Sequence, residues 1–194
     1  MRSFGSTLLF LGLVAIVGYL VLGSMQSSKA VTSAPLLTQT TSLTSDRILG
    51  RPSVSAAFMD KVLDQAGSPA KGLGASLYEL GIETGIDPVY ALAFFHHESS
   101  FGLRGVAATT HSLGNIRCTA GWTCDPSGGY RAYASWILGA EDWFNLIKHV
   151  YVDDGRDTVT TIIPKYAPSG DNNDEQAYIQ AVCDDVARWR AGRV

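Results

Sequence analysis

An uncharged run at the start of the chain decides much of what the rest can be. From Ser3 to Ser28 there is no Asp, Glu, Lys or Arg, and the centre of the run, Leu8–Leu22, reads LLFLGLVAIVGYLVL. A stretch of this kind is long enough to cross a hydrocarbon core of about 30 Å as a helix. Cleaved signal peptides usually carry a shorter apolar region, about 7–15 residues. Ser28-Lys29-Ala30 is also a poor match to a small-x-small cleavage site. Residues 1–28 are therefore read as a retained N-terminal transmembrane helix rather than a cleaved signal. Arg2 and the α-amine precede it, so the positive-inside rule puts the N-terminus inside and the rest of the chain outside. The expected location is the cell membrane, single-pass, with an extracytoplasmic C-terminal domain.

Residues 29–50 read as a flexible linker. Val31–Ser45 (VTSAPLLTQTTSLTS) is rich in Ser and Thr and carries no charge, so it buries little and should stay extended. The remainder, 51–194, is sized for one domain, and 46% hydrophobic residues in the whole chain suffice for a packed core. Those residues hold 12 basic and 17 acidic side chains. That balance argues against nucleic acid and anionic lipid as targets, because phosphate binding needs clustered Lys and Arg.

Apolar periodicity predicts helices over Val54–Ala66 and Gly72–Thr84, the second stopped by Gly85. Asp87-Pro88 is a strong start signal, with Asp as N-cap and Pro at the first helical position. That helix is expected to run to about Ser100 and to be ended by Gly102. Arg104–Tyr133 is rich in Gly and reads as loops with a small β-hairpin around Tyr130–Tyr133. Ser135–Val152 is expected to be helical with Trp136, Ala140, Trp143, Phe144, Ile147 and Val150 inward. A shorter helix over Asp157–Ile163 and a loop over Pro164–Asn173 follow. A last helix over Asp174–Arg190 turns Tyr178, Ala181, Val182, Val186 and Trp189 inward. The domain is thus mainly α.

Cys118 and Cys124 are too widely spaced for Cys-x-x-Cys redox chemistry, and no second Cys/His pair completes a zinc site. In an extracytoplasmic domain they read as a small disulfide loop. Cys183 reads as a buried free thiol. His96-His97-Glu98 lacks the second His of a zinc helix, so no metal is expected, and no cofactor is implied.

Glu98 is the leading candidate for chemistry. It lies near the end of the Asp87-Pro88 helix, and Phe95, Phe94 and Ala91 share its face. A carboxyl rising from an apolar stripe is desolvated, and desolvation raises its pKa. A raised pKa suits a general acid near neutral pH. The alternative is a Glu at a helix end that points to solvent.

These residues resemble a family. GIDPVYALAFFHHESSFG (Gly85–Gly102) is similar to the catalytic helix of the lysozyme-like superfamily, where Glu-Ser-x-(Phe/Trp)-Gly closes a helix begun at Asp-Pro. SLGNIRC (Ser112–Cys118), YRAYASWILGAEDWFNLI (Tyr130–Ile147) and KYAPSGDNNDEQAYIQAV (Lys165–Val182) resemble, in order, later blocks of glycoside hydrolase family 73. The resemblance implies a lysozyme-like helical domain with a small β-hairpin or loop lobe. It also implies endo-β-N-acetylglucosaminidase activity on peptidoglycan or a related N-acetylglucosamine glycan. Glu98 carries over as general acid and Tyr166 as a tyrosine lining the site. Asn115, Tyr130, Arg131 and Tyr133 match by position as groove residues; the aromatic ones fit plain packing equally, and Asn115 fits a left-handed turn residue. A second carboxylate is expected from Asp125, the only acid between Glu98 and Tyr133, or is replaced by the substrate's own N-acetyl group. The Gly-Leu-Met-Gln block of lytic transglycosylases is missing after Glu98. The rival expectations are a lytic transglycosylase or muramidase of the same superfamily, and a catalytically weak cell-wall-binding or scaffold module. Chitin-like oligomers are a further substrate for either enzyme.

Overall fold

The structure is a computed structural model and describes residues 46–194. The expected transmembrane helix over 1–28, and the linker up to residue 45, lie outside the described residues. Among the described residues no helix is long and apolar enough to cross a membrane.

The fold is mainly helical. Its helices are α1 (Ala56–Gln65), α2 (Gly74–Thr84), α3 (Pro88–Ser99), α4 (Ala107–Thr110), α5 (Trp136–Leu146), α6 (Val159–Tyr166) and α7 (Glu175–Arg190). α5 runs on through a π-helical turn, Ile147–Tyr151, and a 3-10 turn, Val152–Asp154. A 3-10 turn at Ser169–Asp171 lies between α6 and α7.

α3 is the axis of the molecule. Its start follows the local rule: Asp87 caps it, accepting from the Val89 N–H at 3.3 Å, and Pro88 occupies the first turn. Every side chain from Val89 to Phe95 is 0% exposed. A helix that is apolar all round has to be enclosed all round, and α2, α5 and α7 enclose this one. Phe94 packs its ring 5.2 Å from Trp143, 5.4 Å from Tyr166 and 5.7 Å from Tyr178, centroid to centroid.

α7 lies antiparallel to α3. Arg190 at its end donates to Asp87 at the start of α3 (2.8 Å), His96 pairs with Asp185, and Tyr178 in its first turns reaches Glu98. Tyr178, Val182, Val186 and Trp189 are buried as the periodicity implied, while Ala181 is half-buried.

Several boundaries differ from expectation. Asp46–Gly50, assigned to the linker, belong to the fold: Ile48 is 1% exposed. Its N–H donates to the Asp157 carbonyl (2.9 Å), and its carbonyl accepts from the Asp87 N–H (2.8 Å). α3 ends at Ser99, within a residue of expectation, but the stop comes before Gly102, because Ser100 and Phe101 already adopt left-handed φ values of 48° and 58°. The Phe101 N–H then closes the helix end by donating to the Phe95 carbonyl at 2.9 Å. The wide π-helical turn carries Tyr151 inward and leaves Val150 exposed. Pro164 sits inside α6 instead of opening a loop. Pro164 has no N–H to give the Thr160 carbonyl, and Thr160 is exposed at the start of the helix.

No β-hairpin forms in the Arg104–Tyr133 excursion, and among the described residues there is no strand. The pairing is limited to isolated bridges, Arg117 with Tyr130 and Cys124 with Arg131. One short segment, Gly129–Ala132, is hydrogen-bonded on one side to residues 116–118 and on the other to 123–125. The disulfide between Cys118 and Cys124 closes the chain between those flanks into a tight loop, which leaves no length for a ladder. Cys183 is the free thiol, half-buried rather than buried.

Candidate functional site

The end of α3 opens into a cleft of about 330 Å³, and Glu98 is part of its lining. The other lining comes from the excursion (Ile116, Arg117, Thr119), from α5 and its π-helical turn (Leu146, Tyr151), from α6 and from the turn before α7.

The Glu98 carboxyl is held at both oxygens. Oε1 accepts from the Tyr178 hydroxyl at 2.6 Å. Oε2 accepts from Asn115 Nδ2 at 3.3 Å, and the same amide donates to the Glu98 carbonyl at 2.8 Å. Burial pushes the Glu98 carboxyl above the usual carboxylate range. The hydrogen bonds from Tyr178 and Asn115 and the nearby Arg117 cation oppose that shift without cancelling it. Tyr178 keeps its proton, because burial and the adjacent Glu98 raise its pKa well above the ordinary value. The His97 ring stacks on Tyr178 with centroids 3.7 Å apart, and burial lowers the His97 pKa.

Asn115 fills both roles considered for it. Its φ is 46°, so it is a left-handed turn residue, and its side chain faces Glu98. Gly114 before it has to be glycine: a Cβ there would lie 2.3 Å from Trp143 Cδ1 and 2.8 Å from the Tyr166 hydroxyl. That close approach lets Tyr166 donate to the Gly114 carbonyl while accepting from Trp143 Nε1 at 3.2 Å. Tyr166 lines the cleft, but its hydroxyl is committed to holding the 112–116 turn.

The remaining sequence candidates divide. Tyr130 and Arg131 line the cleft. Arg131 is a fastener as well: it donates to Asp142 (2.8 Å) and Thr119 (3.0 Å), and its guanidinium lies 4.1 Å from the Trp122 ring centroid. Tyr133 donates to the same Asp142 carboxylate at 2.5 Å and is not part of the cleft lining. Asp125 does not line the cleft either. Its carboxylate accepts from the Ser127 N–H (3.1 Å) and hydroxyl and from the Tyr130 N–H (2.7 Å). Those bonds, the Ser127 hydroxyl first, hold its pKa below the usual range, as suits a turn former rather than a proton donor. Besides Glu98, the carboxylate in the lining is Asp171, 3.7 Å from Arg117.

Sequence reasoning placed Tyr178 inward but gave it no part in the site. Its phenol was the available signal, since a buried tyrosine hydroxyl needs a partner. Asp142 was missed too, being a buried carboxylate inside an apolar helix. Among the described residues no group of three His, Cys, Asp or Glu gathers to hold a metal.

The arrangement can deliver a proton from a desolvated carboxyl into an open, mixed-polarity groove. No protein-family model matches the chain, and no curated protein is similar to it.

Proposed function

We propose that the protein is a membrane-tethered, lysozyme-like peptidoglycan hydrolase that cuts β-1,4 bonds next to N-acetylglucosamine, with Glu98 as general acid. The observation that carries this reading is the Glu98 carboxyl: desolvated at a helix end, yet opening into a cleft. A glycosidic oxygen leaves readily only when protonated, and a carboxyl with a raised pKa keeps its proton to higher pH than an ordinary carboxyl. Asp125 lies away from the cleft, and Asp171, the other carboxylate in the cleft lining, faces the Arg117 cation, which favours the route without a second protein carboxylate. The acetamido oxygen of the sugar attacks the anomeric carbon as Glu98 passes its proton to the leaving oxygen and the bond between them breaks. Water then opens the cyclic intermediate, giving its proton to the Glu98 carboxylate.

The test is to incubate the full chain with peptidoglycan and identify the new ends. Reducing N-acetylglucosamine ends are expected. Muramic or anhydromuramic ends would move the cut to another bond, and folded protein that binds without cutting would favour the cell-wall-binding module. Glu98→Gln should lower turnover by about 10²-fold or more. The same variant tests the burial of the acid. A carboxyl whose pKa is raised on folding favours the folded state below its unfolded pKa, and that contribution is lost as pH rises through the folded pKa. Glu98→Gln should therefore gain thermal stability relative to the parent as pH rises toward neutral, read by melting scans across pH.

A further inference from the structure

The charge of the cleft runs against the charge of the domain. Residues 51–194 hold 12 basic and 17 acidic side chains, yet Arg117, Arg131 and Lys165 line the cleft against Glu98 and Asp171. Two of these cations are engaged elsewhere. Arg131 is 10% exposed and bound to Asp142 and Thr119. Lys165 donates to the Val150 carbonyl (3.2 Å), sits 3.6 Å from Asp154 and lies over the Tyr151 ring.

Arg117 is different. Its backbone is fixed by the bridge to Tyr130, and its guanidinium lies 5.2 Å from the Tyr130 ring centroid. Its side chain is 67% exposed, and its contact with Asp171 is 3.7 Å between partners that both face solvent. Such a pair contributes little and yields to a better anion. A guanidinium on a fixed base, loosely held over a groove, is shaped to take a carboxylate through two parallel N–H donors.

We propose that Arg117 is a specificity-determining residue that binds a carboxylate carried by the glycan, displacing Asp171 and selecting acidic glycan strands over neutral N-acetylglucosamine polymers. The proposal rests on the glycan-cleaving reading of the Glu98 cleft and names the substrate feature that cleft recognises. It also links binding to chemistry. The Arg117 cation draws the Glu98 pKa down. A substrate carboxylate that neutralises Arg117 removes that pull, so Glu98 holds its proton more firmly once an acidic strand is seated.

The experiment measures binding of three glycans to the full chain carrying Glu98→Gln, with and without Arg117→Gln: intact peptidoglycan strands, strands stripped of peptide but keeping the sugar-borne carboxylate, and a neutral N-acetylglucosamine oligomer. A carboxylate-bearing strand should bind about tenfold more tightly than the neutral oligomer. Arg117→Gln should abolish that preference while leaving the neutral oligomer within about twofold, Arg117→Lys should restore part of it, and added salt should weaken it. If the stripped strand keeps the preference, the sugar-borne carboxylate is the ligand; if only the intact strand does, the ligand is on the peptide. Equal loss on charged and neutral glycans, no preference in the parent, or no binding at all would overturn the proposal. Turnover by the chain with Glu98 intact separates the two claims. Arg117-dependent binding without cleavage rejects the enzyme and keeps the carboxylate site. Equal cleavage of charged and neutral strands keeps the enzyme and rejects the site.

Discussion

From Val89 to Phe95 the side chains of α3 are sealed from solvent, whereas every residue from Thr119 to Cys124 in the excursion is exposed. The two meet at the cleft, where Glu98 at the end of α3 and Thr119 of the excursion are both part of the lining. The acid is placed by continuous packing: α2, α5 and α7 surround α3, and a rotation of Glu98 would have to move Phe94 and Phe95 with it. The facing wall has little to pack. It is held at points: a disulfide, the Asp125 turn, and the Asp142 carboxylate that gathers Arg131 and Tyr133. A wall fastened at points can vary in shape and chemistry without disturbing the acid.

That contrast predicts where damage goes. Asp142→Ala is expected to be the most costly change, about 3–5 kcal/mol, because it leaves the Arg131 cation buried without its partner. Urea unfolding would measure it, and a cost below about 1 kcal/mol would mean the excursion is anchored by something else. Gly114→Ala should cost about 1–3 kcal/mol by forcing a methyl into Trp143. It should also lower kcat, because the Asn115 amide moves with the turn.

Replacing Cys118 and Cys124 with Ser should cost about 2 kcal/mol, from loss of the small closed loop. If the wall is independent of the body, this variant weakens glycan binding and leaves the pH dependence of turnover unmoved. Tyr178→Phe is the smallest change in stability, about 1 kcal/mol, and the sharpest for the acid. The lost hydrogen bond favoured the ionised carboxylate, so Glu98 should titrate higher. The alkaline limb of the pH–rate profile then shifts to higher pH; an unmoved limb would show that Glu98 is not the titrating acid.

The helical body was largely legible in the sequence. Asp87-Pro88 marked the start of α3, Gly85 the end of α2, and inward positions of α7 followed from spacing, because local rules and burial agree there. The excursion was legible as loops with a Cys118–Cys124 disulfide, but its pairing was not. Tyr130–Tyr133 looks β-prone, but whether it pairs depends on a disulfide and glycine turns that spacing does not weigh, and the result is isolated bridges. Asp125 drew attention as the acid nearest in sequence, yet its carboxylate is spent on its own turn. Asp171, which does line the cleft, comes from a loop 73 positions after Glu98. Tyr178 sat on a face read as core, where a polar tip is invisible to periodicity, and Asp142 lay off the inward stripe read for its helix, so its burial was not anticipated.

The short stitch at Asp46–Gly50 has a mechanical consequence. Its hydrogen bonds join the chain to Asp157 and Val159 on one side and to Gly85 and Asp87 on the other. Any tension arriving along the backbone from residue 45 is therefore shared between the run into α6 and the first turn of α3. The load is borne by a buried seam at the opposite end of the helix from Glu98, so a pull on the chain there leaves the Glu98 end of α3 in register.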